Sequence, residues 1–286
     1  MRIPKYWAIG IHKDTDERGE LTRWLAYGYS FESLSQAEQQ AQTKAKRLAE
    51  IRRRGDDLNQ YDYLDQPLRE PILAELTGDS GEFGLVTRNR YGAIILNTAN
   101  VMFIDVDLAA VRVTGLWNNL RMLFSAQARR EAAATAIDRE LKKIHTWQKV
   151  NGLNARVYRT RVGLRILVTN RSYDPTSPEA EALMQSIDVD PLYLRLTKNQ
   201  QCFRARLTPK PWRCGADRPG AAFPYHSDQH QQRHQAWIQD YEQKSKPYGT
   251  CHLLQEDNPA ERTPEAEMVI QLHDRYALVD AATPLA

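Results

Sequence analysis

The hydrophobic pattern changes period several times along this chain. Residues 6–11 and 23–29 are short runs rich in apolar and aromatic side chains, and a polar turn through Asp14, Asp16 and Gly19 separates them, which predicts a hairpin. Beyond it the period lengthens: Ala37, Ala41, Ala45, Leu48 and Ile51 recur at helical spacing, with Ser33 or Ser35 as cap and Gly55 as stop. The helix over 36–54 is therefore amphipathic, and its basic residues from Lys44 to Arg54 suit nucleic acid or the negative end of the helix dipole. A connection rich in tyrosine (Tyr61, Tyr63) leads to Pro67, whose position predicts a short helix over 67–77. Gly78 and Gly81 mark a loop before two extended segments, 83–87 and 91–96.

The run 101–108 is apolar except for Asp105 and Asp107, the pattern of a buried strand with acids at its end. A helical tract over 116–150 follows, carried by Trp117, Leu120, Leu123, Phe124, Ile137, Leu141, Ile144 and Trp147. Strands at 155–160 and 164–169 flank Arg161 and Gly163, then come a helix from Pro178 through Ile187, a turn of helix at 191–196 and a strand at 201–207. Strand, helix, strand, strand, helix, strand is the order of a split βαβ unit, with helices on one sheet face and the other face open. The expected fold class is α+β: a ferredoxin- or RRM-like core with an N-terminal α/β extension and C-terminal helices near 230–246 and 265–278. Residues 1–80, 81–220 and 221–286 are the expected divisions.

With 286 residues the chain has ample apolar content for a core, and no apolar run approaches bilayer length. The first residues lack the apolar stretch of a secretion signal, so a cytoplasmic protein without a membrane partner is expected. Three cysteines without a CxxC pair fit a reducing compartment. The net charge of +3 is uneven, because residues 151–220 hold ten Arg and two Lys against six acids, whereas 221–286 hold five basic and ten acidic side chains. Arginine's planar guanidinium favours bidentate contact with phosphate or carboxylate.

Side chains alternate across a strand, so Phe103, Asp105 and Asp107 share one face. Two carboxylates so placed repel unless solvated, hydrogen-bonded or bridged by a cation, and oxygen ligands suit Mg²⁺ or Mn²⁺. Asp188 and Asp190 are candidates for a third acid, although Asp190-Pro191 is also an ordinary helix start. Arg159, Arg161 and Arg165 at the hairpin, Arg204 and Arg206 on the last strand, and Lys210 are the candidate phosphate contacts. Acids with cations beside fixed positive groups are what two-metal phosphoryl transfer needs, with a nucleoside triphosphate and nucleic acid as partners. Tyr158 and Phe203 are candidates to stack bases on the open face. Cys214, His226, His230 and His234 form a weaker candidate zinc set. Neither a Walker-type loop nor a GxSxG elbow is present, which leaves an ATPase or serine hydrolase without its machinery.

Phe103-Ile104-Asp105-Val106-Asp107, followed by a glycine-centred hairpin at Thr160-Arg161-Val162-Gly163-Leu164-Arg165, resembles the archaeo-eukaryotic primase superfamily. The resemblance covers about residues 84–210. It implies an RRM-like half, metal-dependent nucleotidyl transfer, and catalytic cations on Asp105 and Asp107. Arg165 stands where that family's second motif holds a phosphate-contacting histidine. The residues also suit a nucleic-acid-binding module that has lost the reaction, or a metal-dependent nuclease.

Overall fold

The computed structural model describes residues 1–15, 19–55, 67–79, 81–108, 126–279 and 282–286. The connection at Tyr61 and Tyr63 and the first part of the 116–150 tract, with Trp117, Leu120, Leu123 and Phe124, lie outside them. The protein is α+β. Its described elements are β1 (Tyr6–Thr15), β2 (Leu21–Ser30), α1 (Leu34–Arg53), β3 (Ile72–Gly78), β4 (Gly81–Arg88), β5 (Ile94–Thr98) and β6 (Phe103–Asp107), followed by α2 (Ala126–Asn151), β7 (Ala155–Thr160) and β8 (Gly163–Val168). Then come α3 (Pro178–Gln185), α4 (Pro191–Gln200), β9 (Phe203–Arg206), α5 (Asp228–Ser245), β10 (Cys251–Glu256) and α6 (Pro264–Ala277).

Two units are each assembled from three segments: Met1–Leu76, Leu85–Leu96 and Lys210–Lys246 in one, Thr77–Gly84, Asn97–Pro209 and Pro247–Ala286 in the other. In the first, β1 and β2 form the expected antiparallel hairpin. Ser33 caps α1 by accepting from the Gln36 N–H at 3.3 Å. A stripe of buried alanines, Ala37, Ala41, Ala45 and Ala49, lays α1 on the hairpin. The approach is so close that a Cβ on Gly28 would collide with the backbone of Ala37 and Ala41, and one on Gly10 with Ala41. Small residues on both surfaces are thus what lets this helix and hairpin pack.

The stretch expected as a short helix over 67–77 forms strand β3 instead. Its Leu, Ala and Glu favour a helix locally. Pairing with β4 overrides that preference, and the Arg88 N–H donates to the Pro71 carbonyl at 3.1 Å.

The second unit holds a four-stranded sheet in the order β10-β7-β8-β6. β6, β7 and β8 are three of the strands expected in a split βαβ core, and both of their pairings are antiparallel. The fourth, β9, hydrogen-bonds to β5 in the order β3-β4-β5-β9. One face of the β7-β8-β6 group, with Ile104, Val106, Val157, Leu164 and Ile166, is buried, as are Ile144 and Trp147 on α2 and Leu183 and Met184 on α3. Trp147 joins these two helices, its Nε1 donating to the Leu183 carbonyl at 3.2 Å and the Ser186 hydroxyl at 2.9 Å.

The opposite face, expected open, is covered by α6. Ala266, Val269, Ile270, His273 and Ala277 are the buried positions of that helix, and His273 sets its ring 4.7 Å from Tyr158 and 5.6 Å from Phe103.

Candidate functional site

Register decides what surrounds Asp105. It stands directly opposite Arg165 on β8, and Arg165 stands opposite Tyr158 on β7, so the three share the face beneath α6. Arg165 clamps both carboxylate oxygens of Asp105, Nε to Oδ1 at 2.8 Å and Nη2 to Oδ2 at 3.1 Å. Its Nη1 donates to the Arg206 carbonyl at 2.9 Å and lies 3.4 Å from Nε2 of His273. The guanidinium side chain is 3 % exposed, against 42 % for Asp105. Burial works against the buried cation, and the adjacent Asp105 charge outweighs it, raising the Arg165 pKa further.

The network continues into the unit. Tyr158 accepts from Arg156 Nε at 2.8 Å and donates to Asp274 Oδ1 at 2.9 Å. Arg156 reaches Asp274 and Glu256, both at 2.6 Å. His273 Nδ1 is 2.9 Å from the same Asp274 oxygen, and Cys251 Sγ is 3.8 Å from its Nε2. Burial and Arg165 depress the His273 pKa against the opposing pull of Asp274, which keeps the ring neutral, with Nδ1–H directed to Asp274. Although burial opposes it, His273 and Arg156 hold the Asp274 carboxyl below the usual range. Burial pushes the Cys251 thiol up to about 12. Cysteine, histidine and aspartate follow one another as in a nucleophilic triad, but a fully buried neutral thiol beside a depressed histidine is a packing group.

Asp107 is exposed opposite Gly163. A Cβ on Gly163 would collide with the Val106 carbonyl, so the hairpin glycine is required by strand packing. Asp190 caps α4, accepting from the Leu192 N–H at 2.8 Å, while Asp188 follows α3 in the left-handed region and borders a groove of about 880 Å³ with Asp138 and Lys142 of α2.

Of the candidate cations, Arg165 meets Asp105. Arg159 is one position from Tyr158 and therefore faces the other side of the sheet, where it donates to the Gly163 carbonyl at 3.0 Å. Arg161 lies in the turn and donates to the Leu285 carbonyl at 3.2 Å. Arg204 donates to the Gln200 side chain at 3.2 Å, Arg206 is half-buried, and Lys210 belongs to the other unit. Tyr158 and Phe203, expected as stacking platforms, are fully buried.

The zinc set is dispersed as well. The His226 and His230 rings lie 5.4 Å apart, His234 is turned inward with Nδ1 3.0 Å from the Ala221 carbonyl, and Cys214 donates to the Pro211 carbonyl at 3.2 Å. Among the described residues, no group of three or more His, Cys, Asp or Glu side chains is arranged to hold a metal ion. Both Asp105 oxygens already accept from Arg165, so a Mg²⁺ or Mn²⁺ ion there would compete with the guanidinium for the carboxylate.

Arg156, Cys251, His273 and Asp274 were outside the expected site. The spacing of Ala266, Val269, Ile270, His273 and Ala277 was the available signal, since it puts His273 on the apolar stripe of its helix. Comparison with family models, curated proteins and solved structures finds no match to this chain. No described helix is long and apolar enough to cross a membrane.

Proposed function

We propose that this protein binds nucleic acid without transferring nucleotides. The observation that carries this reading is the bidentate Arg165–Asp105 pair beneath α6, which occupies the carboxylate a nucleotidyltransferase or metal-dependent nuclease would use for its cation. Sequence charge supports the remaining half of the reading, with twelve cationic against six acidic residues over 151–220. A polyanion is the partner such a surplus attracts, and the attraction is paid back in salt dependence.

The test combines calorimetry and fluorescence anisotropy on the full chain. Labelled single-stranded oligonucleotides are expected to bind in the presence of chelator and to weaken steeply as salt rises. Titration of Mn²⁺ followed by a nucleoside triphosphate is expected to show no metal-dependent triphosphate binding. Such binding, lost in Asp105→Ala/Asp107→Ala, would overturn the proposal in favour of the nucleotidyltransferase that the motif resemblance implies. Metal-dependent shortening of the oligonucleotide would favour a nuclease, and failure to bind any nucleic acid would remove both halves of the reading.

A further inference from the structure

The surface around Tyr91 and Trp212, in the unit without the Asp105 network, groups two aromatic rings with cations. Trp212 is 46 % exposed and meets the half-buried Tyr91 edge to face, ring centroids 5.6 Å apart and planes at 89°. Arg218 lies over both rings, 5.8 Å from Tyr91 and 5.3 Å from Trp212. Arg90 sits 4.8 Å from the Tyr91 centroid and donates to its hydroxyl at 2.7 Å, while Lys210 is 5.7 Å from Trp212. Two rings thus stand among three cations. Arg90 and Arg218 form no ion pair with a carboxylate among the described residues.

Backbone geometry holds this surface in place. Asn89 organises the turn under Tyr91, its Oδ1 accepting from the N–H groups of Tyr91 at 3.0 Å and Ala93 at 3.1 Å. Gly92 at φ +94 closes the turn where a Cβ would collide with Trp237, and its carbonyl accepts from Arg88 at 2.9 Å. On the other side, the 3₁₀ turn Pro211–Arg213 presents Trp212 outward, while Cys214 and Ala216 donate from their backbone N–H groups to the Pro211 carbonyl, each at 3.0 Å. Rings fixed in advance lose little freedom on binding.

The geometry points to a single-stranded nucleic-acid site here, with a base stacking on Trp212 and the flanking phosphates held by Arg90, Lys210 and Arg218. Exposed aromatic faces among cations are how proteins hold single strands without reading sequence, because every base offers a π face and every linkage a negative charge. A duplex keeps its base faces stacked internally and so cannot use the rings. The hydrogen bond from Arg90, with Arg218 and Lys210 beyond it, also lowers the Tyr91 pKa, as a locally positive surface requires.

This inference rests on the nucleic-acid-binding reading and is tested apart from it. Anisotropy of fluorescein-labelled oligo-dT and oligo-U is measured with the full chain, with Trp212→Ala, Trp212→Phe and the double variant Arg90→Gln/Arg218→Gln, each checked for an unchanged circular dichroism spectrum. Trp212→Ala is expected to weaken binding by about 5- to 150-fold. Trp212→Phe should retain most of the affinity, and the double variant should lower the salt slope by about 1.4. Wild-type binding that neither Trp212→Ala nor Arg90→Gln/Arg218→Gln changes would overturn this site and leave nucleic-acid binding standing elsewhere on the chain. Equal affinity for a duplex of the same length, or displacement of the strand by polyglutamate as readily as by unlabelled oligo-U, would overturn the single-strand assignment. No binding by the wild type would overturn both readings.

Discussion

Asp105 and Arg165 face one another across the β6–β8 ladder and are joined by two hydrogen bonds of 2.8 and 3.1 Å. Two residues along, Asp107 faces Gly163 and has no side chain opposite it. Carboxylates that look equivalent in sequence therefore have unequal energetic roles.

Replacing Asp105 with Asn should cost about 2–3 kcal/mol, below the usual range for breaking a buried pair because the acid is partly solvated and the Arg206 carbonyl still accepts from Arg165. Asp107→Asn should stay within about 0.5 kcal/mol. Urea unfolding midpoints measure the difference. A pair of acids held for a cation would behave oppositely, since removing either charge would relieve repulsion and stabilise the metal-free protein.

The buried imidazole of His273 makes stability depend on pH. Its pKa is lowered in the fold, mainly by burial, from an ordinary value of 6.5, so the unfolded chain binds the proton more readily. Its contribution is therefore complete above that value and lost as pH falls below it, with a slope of up to about 1.4 kcal/mol per pH unit. His234, also lowered by burial, adds in the same direction. Urea unfolding of wild type and His273→Gln at several pH values between about 5 and 7 should give a flatter dependence for the variant. Identical slopes would mean that the ring titrates normally.

Gly28→Ala tests the contact between α1 and its hairpin. The new methyl would collide with the backbone of Ala37 and Ala41, which cannot rotate away. A loss of about 3 kcal/mol is expected, at the upper end of overpacking costs, read as a lower thermal midpoint. Unchanged melting would show that α1 shifts freely on the strands.

Thiol labelling provides a separate check on the α6 interface. Cys202 and Cys251 are fully buried, and the Cys251 thiol is pushed up to about 12 by that burial. Neither should react with an aromatic disulfide reagent at neutral pH until denaturant is added. Rapid reaction of Cys251 in the native protein would mean that α6 leaves the sheet.

Local elements were legible along the chain. Apolar runs bounded by turns and helical spacing located β1, β2, α1, β6, β7, β8 and α6, and Ser33, Ser177, Asp190 and Thr263 cap helices because each accepts from an N–H two or three residues ahead. That Asp105 and Asp107 share a face is likewise a property of one strand. Tertiary structure decided the rest: β3 became a strand through β4, β9 joined β5, Arg165 was brought opposite Asp105 by register, and α6 closed over the face they share. Periodicity and capping act within a few residues and can be read along the chain. Register, pairing partners and burial depend on segments as far apart as Asp105 and His273, and it is those long-range contacts that turn a strand-end carboxylate into half of an ion pair.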